Sequence, residues 1–329
     1  MIQRSPNTVL GHLSQRALLS RLISRGRLPQ TLLFSGLSGI GKRLVAQGVA
    51  KRIFCLSTEI SPDLLSCGKC KECLLFEAGN SPDLSTIDCA DKESASIENM
   101  RELLSKVQLR SYSGRGRVTI IDNTDQISVQ AANLLLKQLE EPRPGIYFIL
   151  ISSNPGTLPP TLLSRCHTTY FNPLNNDQIK TVLKSKDLTL EDSLVQLSEG
   201  SVATALSISE SLETWRDTAS TLLKISGGDL QLALSTASIF AKDKENLPIR
   251  LSCIRNLSRE MTTSPTNPEE IKAKWGETLT NALTAERLIF SRNLNPGYVL
   301  NFLLTSLASS RGFTGNRYDA TLASKNFIG

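Results

Sequence analysis

The segment whose residue types point most directly to chemistry is a glycine-rich loop that ends in lysine. Gly36, Gly39 and Gly41 precede Lys42 in the spacing of a P-loop, whose backbone N–H groups surround phosphates while the lysine reaches the outer ones. The next residue of that pattern is Ser or Thr, which ligates Mg²⁺, but here it is Arg43. A guanidinium has no lone pair to offer a metal. The loop therefore predicts a degenerate nucleotide site, and it leaves open whether ATP or ADP still binds.

A second segment has the spacing of a zinc site. Cys67, Cys70 and Cys73 form two overlapping C-x₂-C turns, and Cys55 is available as a fourth ligand. Such turns point two sulfurs at one tetrahedral ion. The chain has seven cysteines and no apparent export signal, so reduced thiols or metal ligands are expected rather than disulfides. Incidental free thiols are the alternative, but three cysteines within seven residues favour a structural zinc site.

Three further positions could act on a nucleotide. Asp122 ends an apolar run in the manner of a Walker B carboxylate, but Asn123 follows where an ATPase has a Glu that activates water. Ser152–Asn154 follows another apolar run and could sense a phosphate or cap a loop. Arg165 could be an ordinary surface charge or an arginine finger that stabilises phosphate charge.

The elements that must position these residues alternate between strand and helix over the first half of the chain. Such alternation predicts an α/β unit with a mainly parallel sheet, followed after Pro173 by helices alone. The predicted strands are Thr31–Ser35, Leu84–Asp88, Arg117–Asp122, Ile146–Ser152 and Thr168–Phe171. The predicted helices between them are Lys42–Phe54, Ile97–Gln108 and Val129–Glu140.

These patterns divide the chain into four parts. We expect an α/β domain over residues 1–172 with the cysteine insert at about 55–73, and a small three-helix domain over 173–211. A larger helical domain then covers 212–309, and a polar segment without periodicity, 310–329, is expected to be a flexible tail.

Composition limits the classes of partner. The 329 residues carry 37 Lys and Arg against 31 Asp and Glu, a net charge of +6 that suits contact with an acidic polymer but is weaker than that of an autonomous DNA binder. No apolar run approaches the length of about 18 residues that suggests a membrane span. We therefore expect a cytoplasmic protein without a membrane partner.

Several motifs together resemble a known family. The chain is similar to the AAA+ clamp-loader subunits of bacterial DNA polymerase III, most closely the delta-prime type, over roughly residues 7–209. The motifs that carry the resemblance, with the cysteine insert, are VLGH at Val9–His12, GLSGIGK at Gly36–Lys42, IIDNTD at Ile120–Asp125, AANLLLKQLEEP at Ala131–Pro142 and LLSRC at Leu162–Cys166.

The resemblance implies an AAA+ P-loop domain, a helical lid and a helical collar for oligomerisation. It implies a ring-like pentamer with gamma/tau-type and delta-type subunits that opens the sliding clamp and loads it onto primed DNA. The match to the SRC motif makes Arg165 the finger that reaches a neighbouring subunit's ATP site. The match to the zinc module makes the four cysteines its ligands, and Val9–His12 corresponds to the segment that packs on adenine in active relatives.

Departures from the family pattern favour the delta-prime type. Arg43 replaces the metal-binding hydroxyl, Asn123 replaces the catalytic Glu, and Ala203 stands where active relatives have a sensor arginine. These losses predict a subunit without intrinsic ATPase activity. The alternatives are an active gamma/tau-type ATPase and, from a different class, a free-standing zinc and nucleic-acid binding protein on a P-loop scaffold. The modest net charge argues against the last.

Overall fold

The computed structural model describes residues 10–57, 66–91, 96–107, 109–140, 142–290, 292 and 294–309. Val9 and the predicted tail at 310–329 lie outside these residues, as does part of the cysteine insert. The chain divides after Gln178 into two compact units. None of the helices in the described ranges is long and apolar enough to cross a bilayer.

The first unit is built on a parallel sheet of five strands in the order β2-β3-β4-β1-β5. The strands are β1 (Thr31–Ser35), β2 (Leu84–Asp88), β3 (Arg117–Asp122), β4 (Ile146–Ser152) and β5 (His167–Tyr170). The helices are α1 (Leu13–Ser24), α2 (Lys42–Phe54), α3 (Lys71–Glu77), α4 (Ile97–Val107), α5 (Val129–Glu140), α6 (Pro160–Leu163) and α7 (Asn176–Lys184), which crosses the boundary between the units. The sheet and the P-loop between β1 and α2 confirm the predicted α/β P-loop fold.

Burial on both faces explains the continuous apolar runs of the central strands. Every residue of β1 is buried, as expected for a parallel strand that is covered on both sides. Leu32 and Phe34 pack into a core with α2, whereas Leu33 faces the opposite core with α4 and α5. Side chains of β1 thus alternate between the two cores, and packing on both faces of the sheet holds the strand in place. The P-loop therefore begins at the end of a strand that is held on both sides.

The second unit is helical throughout its described part. Its core contains both tryptophans, Trp215 and Trp275, which are 1% and 2% exposed. The same core includes Leu194 and Ile208 from the predicted three-helix domain, so apolar packing continues across residue 211. The separate domain boundaries at 172 and 211 stay predictions. The helices are α8 (Asp192–Leu197), α9 (Val202–Glu210), α10 (Leu212–Ser226), α11 (Leu230–Lys242), α12 (Leu247–Thr263), α13 (Glu269–Phe290) and α14 (Pro296–Ser309).

Candidate functional site

The glycine-rich loop leaves the end of β1 and leads directly into α2. Gly39 and Gly41 have φ angles of 75° and 102°, in the left-handed region that glycine adopts at little cost. A Cβ atom at Gly36 would lie 2.4 Å from the carbonyl oxygen of Phe171, so this position has room only for glycine. The loop therefore holds its backbone at the positive N-terminal end of α2, which begins at Lys42.

Lys42 is folded into the loop that it completes. Its side chain is 6% exposed, and Nζ donates hydrogen bonds of 2.6 Å to the carbonyl oxygens of Gly36 and Leu37. Burial lowers the pKa of Lys42, and the Asp122 and Asp125 carboxylates oppose that shift. A bound phosphate would have to compete with the two loop carbonyls for this ammonium group.

Arg43 lies against the carboxylates at the C-terminal edge of the sheet. Its Nη1 is 3.4 Å from Oδ2 of Asp122 and 3.9 Å from Oδ2 of Asp88. Asn123, at φ 48°, donates from Nδ2 to Oδ1 of Asp88 at 2.8 Å. The Walker B carboxylate thus already faces a protein cation, and the residue at the water-activating position is an amide that is itself held by a hydrogen bond.

Asp88 is a member of this group that the sequence interpretation missed. It ends β2, and β2 pairs with β3 in a register that sets Asp88 opposite Asp122. The carboxyl ends of parallel strands meet at one edge of a sheet, where α/β proteins bind ligands. An acidic residue at the end of the predicted strand Leu84–Asp88 could therefore have placed Asp88 beside Asp122.

The segment before α1 also contacts the loop. His12, at φ 54°, places Nε2 2.8 Å from the carbonyl oxygen of Ile40, and its ring packs edge-on against Phe171 at 5.1 Å. Since a carbonyl only accepts, this contact assigns the proton to Nε2. Burial is the largest effect on the pKa of His12, which is lowered, so the ring is neutral at pH 7. The neutral ring connects the residue directly before α1 to the P-loop.

The predicted phosphate sensor makes a local contact. Ser153 donates to Asp125 from its backbone N–H at 3.0 Å and from Oγ at 3.2 Å. Asn154 donates its backbone N–H to Oγ of Ser152. In this arrangement the segment caps the loop after β4, which is one of the two roles its sequence allows. Ala203 lies exposed on α9 in the second unit, and a methyl group cannot bind a phosphate.

The four predicted cysteine ligands converge. All four Sγ atoms lie within 4.8 Å of one another, and those of Cys67 and Cys73 are 3.9 Å apart. A tetrahedral zinc with bonds of about 2.3 Å requires sulfurs about 3.8 Å apart, and the Cys67–Cys73 separation is close to this spacing. Cys55 directly follows α2, Cys70 directly precedes α3, and Cys73 lies in the first turn of α3, so these two helices bring the thiols together.

Hydrogen bonds favour the thiolate form at one cysteine of the cluster, whereas burial opposes it at another. Backbone N–H groups of Lys69 and Cys70 are the main causes that lower the pKa of Cys67 to about 6, which favours the thiolate form that binds metals. Burial raises the pKa of Cys73 to about 12. The buried Lys51 of α2 forms an ion pair with Glu77 of α3, which fixes the two helices that carry the thiols. The cluster can therefore hold a metal ion such as zinc.

Arg165 follows the short helix α6, and its guanidinium is held by two elements. Nη1 donates to the carbonyl oxygen of Thr161 at 2.8 Å, and Nη2 donates to Oε1 of Glu140, at the end of α5, at 3.0 Å. The side chain is 34% exposed. The arginine is thus oriented but remains accessible to another molecule.

Comparison with known proteins relates the chain to subunits of DNA polymerase III. It is 33% identical over 214 residues to DNA polymerase III subunit gamma of Buchnera aphidicola subsp. Baizongia pistaciae, covering 63% of this chain and 56% of that protein. It is 37% identical over 174 residues to DNA polymerase III subunit delta' of Bacillus subtilis, covering 52% and 51%. The chain thus spans about half the length of these two curated relatives.

The chain also matches a solved structure of a DNA polymerase III gamma subunit-related protein from Thermotoga maritima. The match covers 91% of this chain and 99% of that chain, with a TM-score of 0.45 and 17% sequence identity. These values are too low to support an argument about the fold. The family model described as "DNA polymerase III, delta subunit" matches residues 12–175, which include the P-loop, the cysteine cluster and Arg165. With the similarity to the Bacillus subtilis delta' subunit, this match confirms the predicted resemblance. Over residues 12–175 the chain is similar to the DNA polymerase III delta-subunit family.

Proposed function

We propose that the chain is a non-hydrolysing, stator-like subunit of delta-prime type in the DNA polymerase III clamp loader. In this role it assembles with gamma/tau-type and delta-type subunits in the cytoplasm. The complex uses ATP to load the sliding clamp onto primed DNA. The chain itself hydrolyses no ATP and donates Arg165 as an arginine finger to the ATP site of a neighbouring subunit. The observation that carries the proposal is the contact of Arg43 with Asp122.

This contact opposes hydrolysis for two reasons. Phosphoryl transfer in P-loop enzymes requires Mg²⁺ held by the loop hydroxyl and the Walker B carboxylate. Here Arg43 supplies no metal ligand and places a positive charge 3.4 Å from Asp122, where it repels a second cation. Asn123 adds a third obstacle, because its amide donates to Asp88 and cannot accept a proton from water.

The cysteine cluster supports structural zinc in the proposed subunit. Four thiolates from Cys55, Cys67, Cys70 and Cys73 fill a tetrahedral coordination shell and leave no open position for a substrate. Zinc would cross-link the end of α2 to α3 and so stabilise the helix that follows the P-loop.

The similarity to a gamma subunit favours one alternative, an active gamma/tau-type clamp-loader ATPase. Such a protein would hydrolyse ATP by itself, and the Arg43, Asn123 and Ala203 substitutions argue against this. The alternative of a free-standing zinc and nucleic-acid binding protein predicts binding of primed DNA by the isolated chain, with a steep dependence on salt.

Assembly tests the proposed function. The chain is co-expressed with gamma/tau-type and delta-type subunits and purified through a tag on the delta-type subunit. We expect the chain to co-elute in a complex that loads the clamp onto primed DNA, and omission of the chain to abolish loading. A chain that stays out of the complex, or a loader that works equally well without it, would contradict the proposal.

A further inference from the structure

The neighbourhood of Arg165 contains an acidic residue to which neither the sequence interpretation nor the family comparison gives a role. We propose that Glu140 is a positioning residue for the Arg165 guanidinium, so that the finger is pre-oriented for the neighbouring ATP site. This inference rests on the proposed function. The pair is separated by 25 positions in sequence, and its direct contact is Nη2 to Oε1 at 3.0 Å.

The backbone on both sides of the pair is anchored in one apolar core. Leu139 precedes Glu140 and is 4% exposed, and Leu162, three residues before Arg165, is fully buried. Both belong to the core cluster that covers one face of the sheet. Cys166, directly after Arg165, packs against the same cluster. The spacing between the carboxylate and the guanidinium is therefore set by the core rather than by two freely moving surface loops.

The hydrogen-bonding pattern leaves the guanidinium able to act. Contacts to Thr161, Ser164 and Glu140 use three of its five N–H groups. The remaining N–H groups can meet phosphate oxygens while the others hold the planar group in place. The guanidinium brings a positive charge to any such contact.

The location of Glu140 on its helix is also informative. An acidic side chain at the last position of α5 faces the negative end of the helix dipole, an unfavourable place for a carboxylate. The Arg165 cation offsets this repulsion. The pair is half-exposed, at 54% for Glu140 and 34% for Arg165, so it adds little to folding stability, and its effect is instead on the orientation of the arginine.

The test compares variants in a complex of this chain with a gamma-type subunit. For Glu140→Ala we expect roughly a three- to tenfold fall in kcat, less than the loss of a whole finger because the arginine is still present. The KM for ATP and the yield of complex should not change. Glu140→Gln retains an oxygen acceptor and should retain most of the activity. In the Arg165→Ala background, Glu140→Ala should cause no further fall.

Glu191→Ala is the matched control, because Glu191 forms a similarly exposed ion pair with Arg216 in the second unit. It should leave kcat unchanged. If Arg165→Ala lowers kcat but Glu140→Ala stays within about twofold of wild type, the positioning role is wrong and the finger stands. A further fall in the Arg165→Ala background would also overturn the positioning role. If Arg165→Ala has no effect, the proposed finger fails and the positioning role fails with it.

Discussion

Asp83 is expected to be the main polar anchor of the loop that precedes the Walker B strand. It is 2% exposed and accepts hydrogen bonds of 2.8 Å from the backbone N–H groups of Tyr112 and Ser113 and from Oγ of Ser111. Nε of Arg117, the first residue of β3, lies 3.7 Å from Oδ1. The Asp83 carboxylate, which lies directly before β2, therefore holds the backbone of residues 111–117 in place.

The substitution Asp83→Asn keeps the shape and removes the charge. In its best orientation the amide oxygen keeps the hydrogen bonds from Ser111 and Ser113 that Oδ2 accepts in the wild type. The NH₂ group then replaces Oδ1 and faces two other donors, the Tyr112 N–H and Arg117. One charge-assisted hydrogen bond is lost and a donor is left without its acceptor, so we expect a cost of about 2–3 kcal/mol. With a urea m-value of about 2–3 kcal/mol/M, the unfolding midpoint should fall by roughly 1 M.

The pH dependence gives a second readout. Burial by itself raises the pKa of Asp83, but the hydrogen bonds from Ser113, Tyr112 and Ser111 outweigh it, and the folded pKa is lowered. The charge therefore contributes stability that is complete above the unfolded pKa of about 4 and is lost as the pH falls through the folded value. The difference between wild type and Asp83→Asn should be largest at neutral pH and shrink in acid.

Urea unfolding followed by far-UV circular dichroism, with amide hydrogen exchange at Tyr112 and Ser113, measures both effects. Asp192→Asn serves as the control, since Asp192 is 79% exposed and its pair with Lys180 should contribute less than about 1 kcal/mol. A cost below about 0.5 kcal/mol for Asp83→Asn at pH 7, or a difference that grows on acidification, would refute the assigned role.

Two further predictions concern the cysteine cluster and the P-loop. Protein purified without chelator should contain about one zinc per chain by metal analysis. Cys73→Ser should lose that zinc, while Cys253→Ser, a buried cysteine outside the cluster, should keep it; a folded wild-type chain without zinc would contradict the site. Arg43→Thr should change stability by less than about 1 kcal/mol, because its ion pairs are half-exposed. In this variant the Asp122 carboxylate no longer faces the guanidinium, so nucleotide should bind more strongly with Mg²⁺ than with EDTA. Equal binding under both conditions would argue against Arg43 as the residue that prevents Mg²⁺ binding.

The sheet could be predicted closely because its strands are short apolar runs bounded by polar residues. The predicted limits of β1, β2, β3 and β4 agree with the structure. The fifth strand is displaced by one residue, His167–Tyr170 instead of Thr168–Phe171. Phe171 looked like a strand residue because it is apolar. In fact it lies just beyond the strand and packs against His12 and Phe34.

Candidate site residues are easiest to identify from the sequence where one segment carries most of the pattern. The glycine loop and the three clustered cysteines are such segments. The contacts of Arg43 with Asp122 and of Arg165 with Glu140 join residues 79 and 25 positions apart. Each depends on the side-chain conformation of a long arginine, which spacing in the sequence does not determine. The sequence therefore shows that Arg43 replaces a metal-binding hydroxyl, and the structure adds that its guanidinium lies against the Asp122 carboxylate.

ATP turnover, compared between the chain alone and its complex with a gamma-type subunit, tests the central claim most directly. The isolated chain should show no hydrolysis above that of its Lys42→Ala variant. Arg165→Ala should leave the complex intact and lower turnover at the neighbouring site by a factor approaching the 10³–10⁵ typical of a finger. Turnover by the isolated chain that Lys42→Ala abolishes, or an unchanged rate in the Arg165→Ala complex, would contradict a non-hydrolysing subunit that acts through its neighbour.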